Sequence, residues 1–182
     1  VRSGKYTFAT DYDGTLSVKN DLIIGQQAEA TFNKVGSSAN DLAVDGNVTV
    51  GKDAVLSVNL DSMSVGGALS GQGKVNVASD LSLGASSSVG QLKVTGDIEM
   101  TGSTRDLTVG GASSAASLTN VNKLTVNKDG VMSVAADTTI GSLAGEGALE
   151  TADLTLSSGE SSIAALKADS VSLRKDVTLD VG

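Results

Sequence analysis

Nine apolar anchors recur along the chain at spacings that repeat. Leu16, Leu42, Leu56 and Val75 are followed by Leu92, Leu118, Met132 and Leu149, and Leu166 opens a third round. The steps are 26, 14, 19 and 17 residues, then 26, 14, 17 and 17. Laid over residues 92–137 without a gap, residues 16–61 match at 15 of 46 positions, well beyond chance for this composition. The chain therefore reads as one domain, 1–182, holding two copies of a block of about 75 residues: 16–91 and 92–182, the second cut short. Units this short cannot bury an inward row alone; they gain a core only by stacking on their neighbours.

The unit itself reads as strand. DGTLSVKNDLIIG at 13–25 and DGVMSVAADTTIG at 129–141 share seven of thirteen residues. Apolar residues two apart, as in Leu16/Val18, Leu22/Ile24 and Leu81/Leu83, give the period of a β-strand. Asp21, Asp80, Asp97, Asp137 and Asp153 fall between strand halves, where a short polar residue suits a tight corner. Gly25, Gly51, Gly84 and Gly141 follow the second half and are expected to supply positive φ. The spacing predicts an all-β fold, a parallel β-solenoid with coils of roughly 17–19 residues stacked about 4.8 Å apart, a rod some 40 Å long. A β-sandwich also suits short strands, but it leaves the repeated spacing unexplained. The two long steps, at 25–41 and 101–117, contain VGSSAND and GASSAAS. They predict wider coils with an added strand, ahead of protruding loops, and mark where binding residues are to be sought.

Composition narrows the chemistry. There is no Cys and no His, which removes thiolate chemistry, disulfides and the commonest general base and metal ligand. Absence of Pro suits long runs of ladder pairing. A net charge of −8 excludes a nucleic-acid footprint, and no apolar run is long enough to span a membrane. Asp11-Tyr12-Asp13-Gly14 opens like a calcium loop, but Leu22 stands where such a loop needs Glu. Gly71-Gln72-Gly73 and Gly145-Glu146-Gly147 lack the rest of a phosphate cradle and occupy equivalent turns of the two blocks. The recurring Asp residues could converge like a glycosidase pair, but their regularity points to a turn requirement. No catalytic, cofactor-binding or metal-binding residue is expected, and the chain is not read as an enzyme.

All four aromatics, Tyr6, Phe8, Tyr12 and Phe32, lie in the first 32 residues. Residues 1–12 are expected to cap the open first coil; the sharper alternative makes the four aromatics a partner-binding patch. The chain starts at Val1 without an apolar leader, and 173–179 runs on in strand pattern to Gly182. Both features suggest a piece of a longer protein.

The frame D-G-x-L-S-V-x-x-D-x-x-I-G, with a cysteine-free, acidic, Gly/Ser/Ala-rich composition over roughly 13–180, resembles the passenger regions of Gram-negative autotransporters, in particular the pertactin-like adhesins. The resemblance implies a right-handed β-helix on the bacterial surface, anchored in the outer membrane through a region not present here. Its role would be non-catalytic adhesion, aggregation or support. The partners implied are a host or bacterial surface protein or glycan, or a second copy. Residues 47–100, with Asn47-Val48-Thr49-Val50 and Gly96-Asp97-Ile98, are also similar to the filament-forming bactofilins, the second reading. A polysaccharide-active β-helix enzyme is the third.

Overall fold

The computed structural model describes residues 2–10, 13–36 and 39–182 and consists of strands joined by tight corners. Every pairing is parallel, and the chain winds as a right-handed β-solenoid of about 19 residues per turn. No helix among the described residues is long and apolar enough to cross a membrane.

Three faces run the length of the rod. Face A stacks β1 (Gly4–Thr10), β4 (Ala28–Lys34), β7 (Val55–Asn59) and the second halves of β9 (Leu69–Val77) and β11 (Ser87–Val94). It continues through β14 (Ala112–Ala115), β17 (Val131–Val134), β20 (Ala148–Glu150) and β23 (Ala165–Lys167). Face B stacks β3 (Leu22–Ile24), β6 (Val48–Val50), the first halves of β9 and β11, β13 (Asp106–Val109), β16 (Lys123–Val126) and β19 (Ser142–Ala144). A separate pair, β22 (Glu160–Ile163) and β25 (Thr178–Val181), extends it. Face C stacks β2 (Gly14–Val18), β5 (Asn40–Val44), β8 (Ser62–Val65), β10 (Asp80–Leu83), β12 (Ile98–Met100) and β15 (Leu118–Thr119). It ends in β18 (Thr138–Ile140), β21 (Asp153–Leu156) and β24 (Ser170–Leu173).

Alternation turns one residue in two inward, and the inward rows meet in a single continuous core. Most anchor steps are literal stacks: Leu16 opposes Leu42, Leu56 opposes Val75, Val75 opposes Leu92, and Met132, Leu149 and Leu166 follow in one file. The 14-residue steps are different. Leu42 and Leu118 lie on face C whereas Leu56 and Met132 lie on face A, so these steps change face rather than trim a coil.

The two 26-residue steps also differ from each other. The first is one wide turn, with bonds between turns spanning 26 residues at Asp13–Ala39 and Asn33–Asn59. The second holds a 21-residue turn from Leu92 to Ser113 and then one further face, reaching Leu118 opposite Ile98. Neither segment adds a strand: β4, β13 and β14 are the usual face A and face B strands of their turns, and in the first the extra residues lengthen β4 to seven. Turn length varies along the rod, from 26 residues in the first turn to 21 at Asp41–Ser62, 17 at Asp80–Asp97, 20 at Asp97–Ser117 and 17 at Asp153–Ser170.

The corners depart from expectation in one respect. Gly25, Gly51, Gly84 and Gly141 are not at positive φ; what they require is space. A Cβ on Gly84 would strike the carbonyl of Gly66 in the turn beside it. Positive φ belongs instead to Gly71 (φ 120°) and Gly145 (φ 121°) of the two G-x-G pairs, each set against the equivalent residue, Val50 or Val126.

Three buried serines replace missing ladder bonds. The amides of Leu69, Leu92 and Leu143 donate to the Oγ of Ser87, Ser113 and Ser161 on the following turn, at 3.0, 3.0 and 2.9 Å. Ser113 Oγ also donates to the Gly110 carbonyl at 2.7 Å. Ser113→Ala strands the buried Leu92 amide and should lower unfolding free energy by about 1–3 kcal/mol. Ser114→Ala, one residue along on the outer surface, should leave the urea midpoint unchanged.

Candidate functional site

Of the four aromatics proposed as a partner-binding patch, the structure brings three together and presents two. Tyr6 and Phe8 sit on β1 in register with Ala30 and Phe32 of β4. Phe8 stacks on Phe32 with ring centroids 4.7 Å apart, and Phe32 is buried while Tyr6 and Phe8 are 43% and 41% exposed. Because β1 is the outermost strand of face A, its inward row has a neighbour on one side only. Tyr12 lies outside the described residues. Among the described aromatics, Tyr6 and Phe8 are thus the exposed pair, with Phe32 buried beneath Phe8.

The aspartates expected at corners are placed there, but at two corners rather than one column. Asp21 precedes β3, between faces C and B; Asp80 opens β10 and Asp97 precedes β12, between faces A and C. They do more than permit a bend, because their carboxylates bind the next turn. Asp21 Oδ1 accepts from the Asn47 amide at 2.7 Å, and Asp80 Oδ1 from the Asp97 amide at 2.9 Å. Asp41, Asp97 and Asp153 accept from the hydroxyls of Ser62, Ser117 and Ser170 at 2.8, 2.8 and 2.7 Å. Sequence reasoning missed this pairing, and the signal was available: a Ser or Asn lies one turn downstream of four of these aspartates, at Asp21/Asn47, Asp41/Ser62, Asp97/Ser117 and Asp153/Ser170.

Asp61 is held by two donors, one of them charged. Lys34 Nζ donates to it at 2.7 Å and the Asn40 amide at 2.8 Å, and these bonds, the lysine's first, hold its pKa below the ordinary 3.8. A carboxylate with a depressed folded pKa contributes stability that is complete above its unfolded value and is lost as pH falls through the folded one. Wild type should therefore lose stability below about pH 4, and Asp61→Asn should show less of that loss in acid melts.

Face C also carries a shallow groove of about 300 Å³ lined by Ser62, Ser64, Asp80, Ser82, Asp97 and Glu99 among others. Its lining mixes hydroxyls and carboxylates with the apolar Met63 and Leu81. Comparison of the chain with protein-family models, curated proteins and solved structures finds no match.

Proposed function

We propose that this chain is a stretch of a surface-displayed bacterial rod that adheres or supports without catalysis, as the autotransporter resemblance implies. The observation that supports the reading is the use made of its polar side chains. Asp21, Asp41, Asp80, Asp97 and Asp153 bind turn to turn, and Ser87, Ser113 and Ser161 complete the backbone ladder. These carboxylates and hydroxyls are engaged in holding the scaffold together. The partner is a surface protein, a glycan or a second copy, and the location is the outer cell surface. A self-assembling filament is the second reading, and long polymers of the purified chain in electron microscopy would favour it.

The test is display of the chain at fixed density on a non-adherent bacterium. Retention on protein- or glycan-coated surfaces above the undecorated cell supports adhesion. Release of reducing sugar or unsaturated product from any polysaccharide by the purified chain would overturn the non-catalytic reading.

A further inference from the structure

Charge is sorted between two faces of the rod. Among the described residues no strand of face C contains Lys or Arg, and its strands carry Asp41, Asp80, Glu99 and Asp153, with Asp97, Lys19 and Arg174 at its borders. Face A, in an acidic protein, carries Lys5, Lys34, Lys74, Lys93 and Lys167 against two carboxylates, Glu29 and Glu150. Lys5 is paired with Glu29 and Lys34 with Asp61, but Lys74 and Lys93 are exposed with no carboxylate of the described residues within ion-pair distance. Chain order puts these groups at the same height. Lys74 leads directly into Asp80 in one turn, and Lys93 into Asp97 and Glu99 in the next.

We propose that face A of one copy docks on face C of a second, the rods side by side, parallel and in step, with Lys74 and Lys93 opposite Asp80, Asp97 and Glu99. Lys74 and Lys93 lie on adjacent strands about 4.8 Å apart and two residues out of register, and Asp80 and Glu99 are related in the same way on face C. The contact uses two different surfaces, so it leaves both free on the outer copies and adds rods laterally. Single exposed pairs contribute only about 0–1 kcal/mol, so the contact operates where copies are crowded and effective concentration is high. It rests on the surface-display reading for that crowding.

Sedimentation of the concentrated chain at low salt, followed by zero-length carbodiimide cross-linking of mixed light- and heavy-isotope copies, tests it. The expected result is at least a doubling of mass that reverts to monomer near 1 M salt, where screening acts within about 3 Å. Intermolecular cross-links should join Lys74 or Lys93 to Asp80, Asp97 or Glu99. K74E/K93E and S82K/E99K should each be monomeric alone, and mixing the two should restore association; both spare the carboxylates that bind adjacent turns. Monomer at every concentration, or association unmoved by K74E/K93E, overturns the contact and leaves the surface reading intact. Restored association with no surface retention would uphold the contact while sinking the adhesive reading.

Discussion

Gly84→Val is expected to destroy the ordered rod around β10, with a loss of more than about 3 kcal/mol. The reason is the closeness of successive corners. The Gly84 amide donates to the Val65 carbonyl at 2.7 Å, and any Cβ would meet the Gly66 carbonyl and carbon, which are backbone and cannot swing aside. Far-UV circular dichroism and limited proteolysis would show the loss, with cleavage near 60–100. Gly159→Ala is the contrasting variant. Gly159 has φ 71° and nothing within 4 Å of an added Cβ, so only left-handed strain remains, about 1–2 kcal/mol. Equal effects from the two would refute the packing argument.

Leu92→Ala should lower stability by about 2–5 kcal/mol. Leu92 is fully buried in the file that runs through Leu56 and Val75. Its neighbours are held by ladder bonds on both sides and cannot collapse into the cavity. Since each turn contacts only the turns beside it, a weak rung at mid-rod should also split one cooperative transition into two. Urea unfolding followed separately by Tyr fluorescence at the aromatic end and by circular dichroism over the whole chain would reveal the split. Leu166→Ala, in the partly buried last turns, should cost less and leave the transition single.

Strand period, parallel stacking and most anchor contacts were legible because inward apolar residues two apart leave a direct trace, as at Leu81/Leu83. Face identity was not. The gap-free match of 13–25 to 129–141 lays β2 and β3, on faces C and B, over β17 and β18, on faces A and C. Strand–Asp–strand–Gly has the same grammar at every corner of the prism, so similarity alone cannot say which corner is meant. Over 40–59 and 116–135 the faces do agree, β5 with β15, β6 with β16 and β7 with β17. The glycines were read as conformational when their role is proximity, which depends on a chain one turn away. The inward serines, by contrast, were marked by their period-2 partners Val89, Ala115 and Ile163.

The short reach from each turn to the next has a consequence for how such a chain comes to be folded. Each new rung finds its partner only 17 to 26 residues back, whatever the total length. By the logarithmic dependence of loop closure, the widest turn is harder to close than the narrowest by only about 0.4 kcal/mol. Growth by accretion therefore meets nearly the same small barrier at every step. A chain delivered from one end, even slowly and through a narrow passage, can lay down finished structure as it arrives without waiting for the remainder.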